Sequence, residues 1–359
     1  MASTAVGKAA VSGGARLGYL DWLRGVAVLI MIEAHVLDAW VRADQRGSTS
    51  YGWAMILGGF GAPTFLFLAG VGVVLASRSR ERRLRDRRAA TLGVARRGLE
   101  IFGLAFLFRV QSYLLSGGAL LSLLKVDILN VMGPSMVVAA IIWGSLRRNG
   151  PRLVAFAFAM VVISLFTPGM RTYEWVRVLP DPLEWYLRPV AGRTNFTLFP
   201  WAGFVMAGAL IGVVITRADD EDAERRVMAG LAAAGLVLAL SAYRLSFLPQ
   251  VFDGSNFWTS SPTFFFLRVG LLILAVPLAW LWSSRLGRSG SWRPLEIFGR
   301  SSLFVYWIHV EMVYGVLSRP LHRSLTLRGA LVAFAAFTLF LFGLVLLKNA
   351  LTTRLHAKP

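Results

Sequence analysis

The sequence predicts an all-α, polytopic integral membrane protein with about ten transmembrane helices in one bundle. Three observations carry that reading. The 359 residues are 56% hydrophobic with a mean hydropathy of +0.61, above the roughly half-apolar composition of soluble domains. The apolar residues fall in blocks of spanning length, about 17–25 residues, rather than in alternation. Lysines and arginines gather in every second connection, as they do on the cytoplasmic side of membrane proteins.

The expected spans are 20–40, 53–76, 96–115, 126–146, 152–168, 197–216, 227–247, 264–283, 298–318 and 329–351. The first, third and fourth are the least apolar. Residues 1–18 lack an apolar core of signal-peptide length, so a short uncleaved tail is expected there. The transmembrane domain then covers 19–352, and 353–359 form a second tail. The arginine-rich stretch 78–97 dominates the charge asymmetry, and the connections at 147–152, 217–226 and 285–300 agree with it in sign. Both termini are therefore expected in the cytoplasm. The net charge of +19 would suggest nucleic acid in a soluble protein, but topology accounts for it here, and no nucleic-acid partner is expected. The absence of cysteine excludes disulfides, thiolate catalysis and cysteine-ligated metals.

Two connections on the other side are longer, 167–195 and 248–263, and both carry tryptophan beside charge. Aromatics of this kind suit a sugar or headgroup, and equally an interfacial anchor. Gly208 and Gly212 form a GxxxG pair, the mark of a close helix contact.

The first span is unusual in carrying Asp21, Arg24, Glu33, His35 and Asp38. Ionisable groups cost kilocalories inside a membrane and usually face a bundle interior or a wet cavity. Arg24 and His35 return to nearly the same face, about 16 Å apart along the axis at 1.5 Å per residue. Asp21 and Arg24 are i,i+3 neighbours and can pair. His35 titrates near working pH in its ordinary state and is a candidate general base. An interfacial ion pair and a satisfied bundle histidine would explain the same residues. In the fourth span, Asp127 and Asn130 share a face beside Lys125. They can orient an imidazole or bond a sugar, or Asp127 can simply cap the helix. The ninth span carries Tyr306, His309 and Glu311. No phosphate loop, nucleophile elbow or HExxH is present, and four scattered histidines predict no metal site.

LDWLRGVAVLIMIEAH, GAPTFLFLAGVGVVLA, DILNVMG, LFPWAGFVMAGALIG and GRSSLFVYWIH, in that order, resemble the bacterial relatives of heparan-α-glucosaminide N-acetyltransferase. That family lies within a wider superfamily of transmembrane acyltransferases that includes acyltransferase type 3 proteins. The resemblance runs from Tyr19 to about Leu351. It implies an enzyme of ten or eleven helices that moves an acetyl or other acyl group from cytosolic acyl-CoA to a carbohydrate or glycolipid hydroxyl or amine. On this sequence it assigns the catalytic base to His35, cavity roles to Asp127, Asn130 and His309, and the CoA side to Arg24 with Asp21, Arg96 and Arg97. Unlike the mammalian lysosomal enzymes, the stretch 43–57 holds no histidine just after the first span. The implied location is a bacterial plasma (inner) membrane, among membrane lipids, and a homodimer is left open. The alternative is a transporter or flippase of a lipid-linked or acylated sugar, which would also use inward charges around a central cavity.

Overall fold

The computed structural model describes residues 17–117, 119–252, 254–286 and 293–356. The expected N-terminal tail up to residue 16, residues 287–292 of one basic connection, and 357–359 lie outside these. Among the described residues the chain is helical, with two isolated bridges and no strand. The helices are α1 (Gly18–Trp40), α2 (Thr49–Gly58), α3 (Gly61–Leu84), α4 (Arg87–Ser116), α5 (Ile128–Ser145), α6 (Asn149–Thr172) and α7 (Glu174–Arg177). They continue with α8 (Asp181–Leu187), α9 (Leu198–Ile215), α10 (Glu221–Leu245), α11 (Pro262–Leu286), α12 (Pro294–Arg300), α13 (Ser302–Tyr314) and α14 (Leu327–His356).

Among the described residues, eight helical segments are long and apolar enough to cross a membrane. They are α2–α3 taken together, α4, α5, α6, α9, α10, α11 and α14. Phe158 on α6, Val237 on α10 and Leu339 on α14 are exposed, as side chains facing lipid tails should be. The protein is therefore a polytopic helical membrane protein.

The other two expected spans differ for physical reasons. α1 has 23 residues, about 34 Å at 1.5 Å per residue, long enough to cross a membrane but more charged than the spanning stretches of the eight. It is a central helix, packed against α2, α3, α11, α12, α13 and α14. The expected span 298–318 is not one helix. α12 ends at Arg300, Ser301 departs from helical geometry, and α13 has 13 residues, about 20 Å. Breaks of this kind at membrane depth are tolerated where protein surrounds them, and α12 and α13 both contact α1 and α14.

The arginine-rich stretch 78–97 is also not a loop. Arginine is a good helix former, and α3 and α4 consume all of it but Arg85 and Asp86. Arg85 takes a left-handed φ of 52°, and the Asp86 carboxylate accepts from the Arg88 and Ala89 amides to start α4. At the far end, α14 runs to His356, so part of the expected tail 353–359 is helical.

Glycine sets the closest crossings. A β-carbon on Gly208 would lie 1.8 Å from the Phe67 carbonyl oxygen, and one on Gly212 2.9 Å from Val74 Cβ. The GxxxG pair is thus where α9 meets α3.

Candidate functional site

α1, α3, α4, α5 and α13 surround a cavity of about 1140 Å³. Arg24, Arg80 and Arg97 line one end of it. Arg109, Lys125, Asp127, Glu311 and Tyr314 line the other, and His35, in contact with Tyr314, lines it too. Three of the five ionisable residues of α1 are thereby explained: Arg24, His35 and Asp38 line this space, on one face of the helix, while Asp21 and the buried Glu33 do not.

His35 Nδ1 is 2.8 Å from His309 Nε2, and the rings stack 10° from parallel with centroids 5.0 Å apart. His309 is fully buried and does not line the cavity, which corrects the expectation of a cavity residue, and its Nδ1 lies 2.9 Å from the Val305 carbonyl oxygen, one turn back on α13. A carbonyl only accepts, so the His309 proton sits on Nδ1 and its Nε2 is the acceptor. His35 must then donate from Nδ1. Its Nε2 is left without a proton and with a free lone pair, the form a general base needs. Tyr314 packs edge-on to His35 at 5.5 Å and donates to Asp38 at 2.9 Å.

At the far end Arg109 Nη2 is 2.5 Å from Asp127 Oδ2. The other Asp127 oxygen accepts from the Ile128 amide at 2.7 Å, starting α5. Asn130 completes this capping box, since its Oδ1 accepts from the Asp127 amide at 2.9 Å. Its Nδ2 donates to the Tyr186 hydroxyl at 3.2 Å. Asn130 is 1% exposed and does not line the cavity. Its amide is committed to holding α5 and the connection 167–195, which corrects the expectation of a cavity residue. That connection folds back as α7 and α8, and its Thr194 and Asn195 reach the cavity wall. Lys125, outside the spans, has its ammonium pushed below the ordinary lysine range. Desolvation is the main cause and Arg109 adds to it, against the pull of Asp127.

At the arginine-lined end the four expected residues separate. Arg24 and Arg97 line the cavity. Asp21 is buried beneath it, 2.9 Å from Arg24 Nη1 and 3.2 Å from Arg300 Nε, and so orients Arg24 without reaching the cavity. Both Arg96 and Arg97 pair with Glu100, at 3.4 and 3.0 Å, but Arg96 is exposed and does not line the cavity. Arg80 takes its place in the lining. Its guanidinium lies over Gly93, where a β-carbon would come within 2.1 Å of Nη1. Neither Arg80 nor Tyr314 stood out in the sequence. Neighbouring arginines on a helix differ only by about 100° of rotation, and the packing of α3 on α4 decides which one faces inward. Among the described residues no group of three or more histidine, aspartate or glutamate side chains is placed to hold a metal ion.

Fold and site together define a class: a polytopic helical membrane protein whose cavity joins a cationic end to a histidine pair and a mixed-charge end. The family model for the catalytic region of heparan-alpha-glucosaminide N-acetyltransferase matches residues 16–248, more than half of the chain. The chain belongs to that family and is thus assigned to membrane acetyltransferases. The match includes Arg24, His35, Arg80, Arg97, Arg109 and Asp127, and ends before α11 to α14, which supply His309. No curated protein matches the chain.

Proposed function

We propose that the protein transfers an acetyl group from acetyl-CoA to a hydroxyl or amine of a carbohydrate or glycolipid, with donor and acceptor entering opposite ends of one cavity. The observation that carries this is that one cavity is lined by Arg24, Arg80 and Arg97, by His35, and by the Arg109–Asp127 pair. Arg24, Arg80 and Arg97 supply planar cationic forks suited to the phosphates of CoA. The thioester then reaches the bundle interior beside His35. His35 Nε2 takes the proton of the acceptor as its oxygen or nitrogen attacks the thioester carbonyl. Collapse of the tetrahedral intermediate breaks the carbon–sulfur bond, and the proton passes from His35 to the leaving thiolate. His309 touches no substrate; it is a positioning residue that keeps the His35 proton on Nδ1. Asp127, Lys125 and Tyr314 face the acceptor.

The excess of basic residues at the Arg24 end supports placing that end, and both termini, in the cytoplasm of a bacterial cell. A transporter or flippase of a lipid-linked or acylated sugar would use such a cavity too, but it needs no oriented base inside it. The test is binding of acetyl-CoA and of its 3′-dephospho analogue to purified protein. Acetyl-CoA is expected to bind, and loss of the phosphate to weaken binding about tenfold, the worth of one charge-assisted contact. Failure to bind acetyl-CoA would remove the donor assignment.

A further inference from the structure

A second basic pocket lies beside the cavity and shares none of its lining residues. Along the last turns of α3, Arg78 and Arg82 are four residues apart and occupy one face, while Arg80 between them points the other way, into the main cavity. Arg78 and Arg82 open onto a pocket of about 270 Å³ together with Arg152, Asn149, Trp143 and Glu81.

The chemistry of that pocket is cationic and rich in donors. Arg152 is 5% exposed, stacks on Trp143 with its guanidinium carbon 3.5 Å from the ring centroid, and donates from Nε to the Leu146 carbonyl at 2.9 Å. Arg78 donates to the Thr216 carbonyl and lies 3.8 Å from the exposed Asp219. Among the described residues Arg82 forms no ion pair, and the buried indole N–H of Trp143 has no hydrogen-bond partner. Asn149 opens α6, whose N-cap residue Arg148 supplies no side-chain acceptor, so the positive end of a 24-residue helix adds to the field. Arg78 and Arg82 would repel at this spacing, and Glu81 is the one carboxylate lining the pocket.

We infer that this pocket binds a phosphate group, and that the phosphate is carried by an anionic phospholipid headgroup or is free in solution. Basic pockets between helix ends at a membrane surface take lipid headgroups in this way. The volume is several times the roughly 30 Å³ occupied by one water. The inference is independent of the acetyl-transfer reading.

The experiment is native mass spectrometry of the purified full chain with phosphatidylglycerol or phosphatidylcholine of identical acyl chains. Wild type, Arg82→Gln and the exposed control Arg226→Gln are compared, each checked for an unchanged melting temperature. Melting temperatures are also read in inorganic phosphate against chloride at equal ionic strength. A lipid source predicts about fivefold preferential retention of phosphatidylglycerol, lost in Arg82→Gln and kept in Arg226→Gln. A free source predicts that inorganic phosphate stabilises wild type but not Arg82→Gln, with no lipid preference. Equal behaviour of Arg82→Gln and wild type in both arms would overturn the site.

Discussion

The Nδ1 of His35 on α1 lies 2.8 Å from the Nε2 of His309 on α13, across 274 positions of sequence. With the Val305 carbonyl behind it, this contact gives each ring a fixed proton and leaves His35 Nε2 basic toward the cavity.

His309→Ala should therefore lower kcat while leaving the KM for acetyl-CoA unchanged, because His309 touches no substrate. About one tenth to one hundredth of the rate should remain, a smaller loss than general-base removal causes. A rise in KM with kcat preserved would mean that His309 binds substrate instead.

The arginines make a selective prediction. Arg97→Ala and Arg80→Ala should each weaken acetyl-CoA binding by about ten- to a hundredfold, and high salt should weaken wild type as well. Arg96→Ala, one residue from Arg97 but exposed and outside the cavity lining, should bind normally. Gly93→Val should reproduce the Arg80→Ala defect with little loss of stability, since the new side chain displaces only the end of a flexible guanidinium. Titration calorimetry on the four variants checks the set.

Asp127 both caps α5 and neutralises Arg109, and each side chain of the pair is 13% exposed. Asp127→Ala should destabilise the protein by about 3–5 kcal/mol, the cost of leaving a buried partner charge. Asn130→Ala, which loses part of the cap and a bond to Tyr186, should cost about 1–2 kcal/mol. Unfolding in mixed micelles measures both.

Lys125 supplies a pH test. Its folded-state ammonium titrates below the 10.5 of free lysine, so the folded protein binds fewer protons than the unfolded chain between those two values. At neutral pH holding the charge is a cost, relieved as pH rises through that window. Lys125→Gln should accordingly raise the melting temperature at neutral pH, and the gain should shrink toward lysine's ordinary range. A gain independent of pH would assign the effect to packing.

The spans were legible because hydrophobic blocks of membrane length have few other uses, and α4 to α6, α9 to α11 and α14 fall on them. The break at Ser301 was not, because 298–318 stays apolar whether it crosses lipid or lies inside a bundle. Local rules do not register that α13 is enclosed by protein. His35 was legible from its cost within a charged helix, as was the option that Asp127 caps α5. The bond from His35 to His309 was not, since nothing local to either residue encodes the packing of α13 on α1. Asn130 misled for a related reason: sharing a face with Asp127 fitted both a cavity pair and a capping box, and the box won.

The central claim is that His35 is the base. The measurement is release of free CoA from acetyl-CoA, with an amino-sugar or hydroxyl-sugar acceptor, by wild type and by His35→Ala folded to the same melting temperature. If His35 is the base, the variant binds acetyl-CoA as wild type does and its rate is lower by about two to four orders of magnitude. Transfer at the wild-type rate by a well-folded His35→Ala protein would contradict it.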